Sequence, residues 1–325
     1  MRINSGKFGQ VFEQQAGEGK RMRHNFLIGQ YGGFNEAKYR RDFGEGFYGI
    51  EACLFQQESD IERLRLQSKQ DDFRIGVHFP LRAGSSRVRD ALFLAKDEAV
   101  RQQAFARVQQ ELDYLTTAIQ PSYVLFHYPK PVILDDRVNW GRWHFEDPSE
   151  YVFESDYPIE LLQERSEVLF EWLARIGQEY KFVPVLELDA LNRYATTKRD
   201  VLERLLMKHN TIKLCLDTAR LYIQERIDPY FDARAVIERY AGFAELIHLS
   251  TLRIEESGER KQTRYPVLPH LDPSEGWAPI EDYMRIIGRH NPNVKIMFEH
   301  RSEQVSDEEL AACYSWVEEL LRGAL

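Results

Sequence analysis

Short apolar runs recur along the 325-residue chain, and segments with helical periodicity separate most of them. Each run has the length of a strand and is rich in Val, Ile, Leu, Phe or Tyr. The eight runs are residues 25–30, 48–54, 74–79, 123–128, 182–188, 212–217, 244–250 and 294–300. Strands that alternate with helices predict a parallel sheet. Eight of them predict a single closed α/β barrel of the (β/α)8 type, with an open doubly wound sheet as the alternative.

The segments between the runs carry the helical signal. Residues 97–119 place apolar side chains at helical spacing, namely Val100, Ala104, Val108, Leu112 and Leu115. The weakest interval is residues 61–69, which predict a short helix at best. Two intervals are long: residues 129–158 after the fourth strand and 251–277 after the seventh. We expect both to rise over the same face of one barrel domain, residues 25–325, preceded by an arm, residues 1–24.

Composition excludes several classes of protein. Hydrophobic residues make up 43% of the chain and charged residues 29%, as in ordinary globular proteins. The net charge of −9 argues against a nucleic-acid or membrane partner, without excluding a local nucleic-acid contact. The three cysteines are odd in number and far apart, so we expect buried free thiols. No apolar stretch is long enough to cross a bilayer and no secretory signal precedes the barrel, so we expect a cytoplasmic protein.

Ionisable residues stand at or near the end of seven of the eight runs. In strand order they are Glu51, His78, His127, Glu187, Asp217, His248 and Glu299. In a parallel barrel all these positions point to one end, where the loops that follow the strands surround them. This pattern predicts a functional site at that end of the barrel.

Each of these residues also has a purely structural interpretation. Asp217 could cap the following helix, His78 and His127 could be core histidines, and the glutamates could pair with nearby arginines. Taken together the pattern points elsewhere, because burying carboxylates and imidazoles side by side is costly unless a cation compensates. Two glutamates, one aspartate and one histidine suit a divalent ion, and this donor set does not choose among Mn²⁺, Co²⁺, Zn²⁺ and Mg²⁺.

Four motifs on strands five to eight resemble a known family. The segments LELD, CLDTAR, IHLS and FEHR occur in that order, at 186–189, 215–220, 247–250 and 298–301. They resemble the xylose isomerase-like TIM-barrel superfamily, which includes sugar isomerases and epimerases as well as endonuclease IV. The resemblance covers residues 25–325.

The epimerase branch of that superfamily implies a metal site and a mechanism. The metal ligands implied are Glu187, Asp217, His248 and Glu299. By the same resemblance Glu187 and Glu299 are the catalytic acid and base, one removing the proton beside the carbonyl and the other returning a proton on the opposite side of the enediolate. The metal would bind the substrate oxygens and stabilise the developing charge.

The endonuclease IV branch implies additional metals. His78 and His127 match ligands of a second ion, and His270 matches a ligand of a third. The alternative for His78 and His127 is substrate recognition, with each imidazole bonded to a hydroxyl or phosphate of the substrate while the protein keeps one metal. Arg220 stands where that branch carries a histidine, and Leu268 stands where it carries an aspartate, so the third ion is expected to be absent. Arg220, together with Arg253, is expected to bind a substrate carboxylate or phosphate instead.

The sequence thus predicts a divalent-metal-dependent isomerase or epimerase acting on a sugar or sugar-like molecule. An endonuclease IV-like metallo-phosphodiesterase acting on damaged DNA is the alternative. Trp140 and Trp143, in the long segment after the fourth strand, are expected to form a lid over the site. These aromatic residues could instead pack against a neighbouring helix or a second subunit of a homo-oligomer.

Overall fold

The computed structural model describes residues 23–84, 86, 88–193 and 201–323. The predicted arm, residues 1–24, therefore lies almost entirely outside the described residues. Within the described part of the chain, no helix is long and apolar enough to span a membrane. The three cysteines are buried and unpaired, as predicted.

Eight parallel strands close into a barrel. They are β1 (Phe26–Tyr31), β2 (Gly49–Cys53), β3 (Arg74–His78), β4 (Tyr123–Tyr128), β7 (Val183–Leu188), β8 (Lys213–Asp217), β9 (Ala244–Leu249) and β12 (Lys295–Phe298). The strand order is β1-β12-β9-β8-β7-β4-β3-β2, and β1 pairs with both β12 and β2 to complete the ring. The predicted (β/α)8 barrel is confirmed, and the open-sheet alternative is wrong.

Nine helices occur in the described residues, mostly on the outside of the barrel. They are α1 (Glu36–Asp42), α2 (Glu58–Asp71), α3 (Glu98–Ala118), α4 (Ile159–Tyr180), α5 (Val201–Lys208), α6 (Thr218–Ile227), α7 (Ala233–Tyr240), α8 (Ile280–His290) and α9 (Asp307–Arg322). The expectation of a short helix at residues 61–69 is wrong, since α2 has 14 residues. Its buried Ile61 and Leu64 pack against the barrel, and this tertiary burial outweighs a weak local pattern.

The two long intervals contain small sheets of their own. After β4, the strands β5 (Val132–Leu134) and β6 (Tyr151–Phe153) pair in parallel. After β9, the strands β10 (Thr251–Ile254) and β11 (Arg260–Tyr265) form an antiparallel hairpin. The two intervals touch each other, because Arg142 Nη2 donates to the carbonyl oxygen of Ser257 at 2.9 Å. Both therefore rise over the same end of the barrel, as predicted.

Candidate metal centre

The interior of the barrel changes from apolar to ionisable within two residues. The apolar layer contains Leu125, Val185, Cys215, Leu246 and Met297. Two positions further along, the chain places His127, Glu187, Asp217, His248 and Glu299. Side chains two residues apart on a strand share a face, so the ionisable set follows the apolar layer into the barrel at the carboxyl end of the strands. Strand periodicity alone thus carries these residues to one place.

His248 is oriented by a buried carboxylate. Its Nε2 lies 3.1 Å from Oε2 of Glu51, which also accepts a hydrogen bond from the hydroxyl of Tyr123 at 2.8 Å. Tyr123 reaches across the barrel because residue 76 is glycine: a Cβ there would lie 2.1 Å from the tyrosine ring. Histidines that bind metals commonly donate a hydrogen bond from the N–H of their second ring nitrogen to a carboxylate.

The other nitrogen of His248 faces two carboxylates. Nδ1 lies 3.7 Å from Oε1 of Glu187 and 3.9 Å from Oε2 of Glu299. It is buried, and none of the described residues forms a hydrogen bond with it. Ligand atoms of Glu187, Asp217 and His248 lie within 4.8 Å of one another. A buried, unpartnered nitrogen that faces carboxylate oxygens is the donor arrangement that a divalent ion satisfies.

Asp217 combines the structural and the functional interpretation. Its Oδ1 caps α6 by accepting from the backbone of Ala219 at 2.8 Å and of Arg220 at 3.0 Å. The other oxygen, Oδ2, remains for the site, at 3.5 Å from Nε of Arg220. Glu299 follows β12 directly, is partly exposed, and pairs with Arg264 at 3.2 Å.

Electrostatics indicate a local excess of negative charge. Burial and the carboxylates of Glu299 and Glu187 raise the pKa of Asp217 to about 7. Burial lowers the pKa of His248, but Cys215, Glu51 and Glu187 outweigh it and hold that pKa well above its usual value. Both shifts share one contribution, that of the neighbouring carboxylates, which favour any added positive charge. The residues present therefore fit a cation.

His78 and His127 form a second cluster beside the first. Their Nε2 atoms are 3.2 Å apart. Oε2 of Glu187 lies 3.1 Å from Nε2 of His127 and 3.6 Å from Nε2 of His78. Nδ1 of His127 contacts Asp90 at 2.8 Å. These three residues form another group that could hold a metal ion. The structure thus brings His78, His127 and Glu187 together, and a second ion bound between them stays a prediction.

Two arginines approach this histidine pair. Nη2 of Arg89 lies 2.9 Å from Nε2 of His78, and Nη2 of Arg220 lies 3.5 Å from Nε2 of His127. Burial and the Arg89 charge lower the pKa of His78 to about 4, so its ring is neutral and its Nε2 accepts from Arg89. An arginine can only donate hydrogen bonds, so the lone pair on Nε2 of His78 already accepts one from Arg89.

Arg220 and Lys130 bind the carboxylates around the cluster. Arg220 pairs with Glu187 at 3.1 Å and with Asp189 at 2.9 Å. Lys130, which is buried, pairs with Asp189 at 3.0 Å and with Asp90 at 2.9 Å. The sequence prediction included Arg220 but missed Asp90, Lys130 and Asp189. The sequence contained a signal for Asp189, because it follows Glu187 by two residues and so is expected on the same face of the strand. Asp90 lies in a loop, and no motif marks it.

A cavity of about 420 Å³ opens beside two of the four predicted metal ligands. Asp217 and Glu299 lie in its wall, and Trp143 borders it. Trp140 does not line it; this ring packs edge-on against Trp143 with centroids 6.1 Å apart, and both rings are buried. A lid formed by Trp143 stays a prediction. Both tryptophans belong to a buried cluster against which Ile223 and Ile227 of α6 pack, which agrees with the alternative of packing against a neighbouring helix.

Two predicted residues are not brought to the cluster. His270 is exposed and lines a separate cavity of about 330 Å³ with Leu268. Arg253 lies on β10 and pairs in register with Lys261, and it is not part of the wall of the cavity above Asp217. The reason is the hairpin β10–β11, which sequence periodicity did not predict. This hairpin presents Arg260 and Arg264 to the cavity instead.

Comparison with known proteins identifies the fold. No protein-family model matches the chain, and no curated protein is significantly similar to it. It resembles the solved structure of a 3-keto-D-glucoside 4-epimerase from E. coli, with a TM-score of 0.56 and 12% identity, over 91% of this chain and 99% of that one. It also resembles the IolI protein with a zinc atom, with a TM-score of 0.54 and 11% identity, over 92% and 99% of the two chains.

A third similar structure is a xylose isomerase domain-containing protein from Salmonella typhimurium. The TM-score is 0.54 at 14% identity, and the match covers 92% of this chain and 98% of the other. At such identities the likeness concerns the fold. The closed barrel and its broad coverage by these structures show that this chain has the xylose isomerase-like TIM-barrel fold.

Proposed function

We propose that the protein is a divalent-metal-dependent isomerase or epimerase that acts on a sugar or sugar-like polyol. The observation that carries the proposal is the buried, unpartnered Nδ1 of His248, which faces the carboxylates of Glu187 and Glu299. Its other nitrogen is held by Glu51. A site built only for stability would not leave such an atom without a partner beside two carboxylates.

Glu187, Asp217, His248 and Glu299 would hold the ion. A divalent ion bound there would act as a Lewis acid that polarises a substrate carbonyl. Oxygen ligands with one imidazole suit Mn²⁺, Co²⁺, Zn²⁺ or Mg²⁺. Among similar structures, one is described with a zinc atom and another with magnesium.

The two glutamates approach the site from different strands. Glu187 lies on β7 and Glu299 follows β12, with β8 and β9 between them in the ring. A substrate held above Asp217 and His248 would therefore meet one carboxylate on each side. One glutamate would remove the proton beside the carbonyl, and the other would deliver a proton to the opposite face of the same carbon, which inverts the stereocentre. Delivery to the former carbonyl carbon would instead move the carbonyl, as in an isomerase.

The surrounding residues provide the rest of such a site. Trp143 closes one wall of the cavity and presents an apolar ring, which suits the apolar face of a sugar. Arg220 pairs with Glu187 at 3.1 Å and keeps its carboxylate ionised and in place. The similar E. coli structure is that of an epimerase acting on a keto-glucoside, which agrees with this reaction class.

The test combines metal analysis with isotope exchange. Purified protein should contain one divalent ion per chain. In D₂O with a panel of ketoses, aldoses and keto-sugars, the wild type should incorporate deuterium at the carbon next to the carbonyl. Glu187→Gln and Glu299→Gln should each lower the exchange rate by ~10²–10⁴-fold, the usual contribution of a catalytic acid or base. Glu238→Gln, on the exposed surface of α7, is the matched control.

The endonuclease alternative has one observation in its favour, the group formed by His78, His127 and Glu187. Two observations count against it: Arg89 engages the lone pair of His78, and His270 lies apart from the cluster. Cleavage of abasic DNA by the wild type, together with two ions per chain and no exchange on any sugar, would replace the proposed function by this alternative.

A further inference from the structure

The outer wall of the cavity above Asp217 is strongly basic. Arg260 and Arg264 reach it from β11, and Arg301 reaches it from the segment after β12. This concentration of arginines is unexpected in a chain of net charge −9. Two of the three arginines come from the added hairpin and the third from the segment after β12, so the basic wall is a property of this chain's loops.

These arginines are held in place by backbone contacts. The amide of Arg301 donates to the carbonyl oxygen of Arg264 at 2.8 Å, which joins the hairpin to the segment after β12. The guanidinium of Arg260 donates to the carbonyl oxygen of Arg142, which joins the hairpin to the segment that carries Trp143. The basic wall is therefore built between three segments.

The charges of this wall are largely uncompensated. Among the described residues, no carboxylate lies within ion-pair distance of Arg260 or Arg301, whereas Lys261 on the same strand pairs with Glu259. Arg264 has one carboxylate partner, Glu299, at 3.2 Å. Unpaired arginines that converge on a cavity are the usual recognition element for phosphate and carboxylate groups, because their planar donors match such oxyanions.

We infer that the cavity takes an anionic sugar, with a terminal phosphate or carboxylate bound by Arg260, Arg264 and Arg301 and the carbonyl end directed to Glu187 and Glu299. This inference rests on the proposed function. The cavity of about 420 Å³ extends from these arginines to Glu299, and Arg264 contacts Glu299 directly. One cavity can therefore hold both the anionic end and the carbonyl end of the substrate. Arg220 is excluded from the anion-binding set because it is already bound to Glu187 and Asp189.

The experiment uses the metal-loaded full chain and two readouts. The first readout is the binding of inorganic phosphate and, separately, of acetate. Binding is measured by the shift in the thermal unfolding temperature and by tryptophan fluorescence. The second is deuterium exchange on matched sugars: a ketose, its terminal phosphate and the corresponding sugar acid. The variant is Arg260→Gln/Arg301→Gln. The control is Lys261→Gln/Lys295→Gln, which removes the same amount of charge at positions outside the cavity. We expect its deuterium exchange rate to equal that of the wild type.

The expected result is a preference for one anionic sugar over the neutral ketose, with the arginine variant raising its KM by about 10- to 100-fold, as for loss of charged hydrogen bonds. KM for the neutral ketose should stay constant. A phosphate preference identifies a sugar phosphate, and a carboxylate preference a sugar acid. Equal turnover of neutral and anionic sugars, or equal phosphate binding by wild type and variant, would overturn the inference while leaving the proposed function intact. Phosphate binding lost in the variant, without exchange on any sugar, would support the anion site and reject the proposed reaction.

Discussion

Replacing Glu51 by glutamine should weaken metal binding without unfolding the barrel. Both carboxylate oxygens of Glu51 lie 3.1 Å from Nε2 of His248, and Tyr123 donates to one of them. The charge of Glu51 keeps the proton on Nε2 and leaves Nδ1 free to act as a ligand. An amide has nearly the same shape, so the apolar layer beneath should be undisturbed, and its oxygen can still accept from Tyr123.

The expected magnitude follows from the bond that is changed. A hydrogen bond to a charged group contributes about 1.5–3 kcal/mol, and loss of a carboxylate behind a metal-binding histidine costs ~10–100-fold in affinity. Since a tenfold change equals about 1.4 kcal/mol, the two figures agree. We therefore expect Glu51→Gln to raise the dissociation constant of the ion by about 10- to 100-fold.

The measurement is a competitive titration of Zn²⁺ or Mn²⁺ against a chelator, with stability followed by urea unfolding. Glu111→Gln is the matched control, because Glu111 is also a buried carboxylate, on α3, and it binds Arg82 at 2.8 Å, away from the cluster. It should lower stability and leave metal affinity unchanged. Unchanged affinity in Glu51→Gln, or an equal loss in both variants, would refute the role given to Glu51.

Three further outcomes are expected. Trp143→Ala should raise KM in the exchange assay, because this ring borders the cavity, whereas Trp140→Ala should mainly destabilise the fold by ~3–5 kcal/mol in urea unfolding. Lys130→Met should destabilise by ~3–5 kcal/mol by the same measurement, because it leaves the carboxylates of Asp90 and Asp189 buried without their partner; an unchanged midpoint would show that they do not need it. Removal of metal by a chelator should abolish exchange and lower the unfolding temperature, and adding Mn²⁺ or Zn²⁺ back should restore both.

The barrel could be predicted from sequence because its signal is local. Each buried strand is a short apolar run, and the run at residues 123–128 coincides with β4. Their positions at the ends of parallel strands also predicted that Glu187, Asp217 and His248 would lie at one end of the barrel. Position on a strand is therefore enough to predict residues that lie within the ring.

The contacts that come from loops could not be predicted in the same way. Arg89 and Asp90 follow β3 in a loop, and nothing in the local pattern indicates that they turn back towards His78 and His127. Arg253 lies in the interval after the seventh strand, where the chain forms a hairpin whose second strand provides the cavity wall. Loop paths depend on tertiary contacts between distant segments, which a single sequence does not reveal.

The distribution of charge separates the two halves of the site. Around His78 and His127, the carboxylates Asp90 and Asp189 are matched by three built-in cations, Lys130, Arg89 and Arg220. Around His248, within the described part of the chain, Glu187 and Asp217 share Arg220, and Glu299 pairs with Arg264 at the margin. A divalent ion would relieve repulsion in the second half and add to an already compensated charge in the first. The charge balance therefore favours one ion per chain, bound at His248.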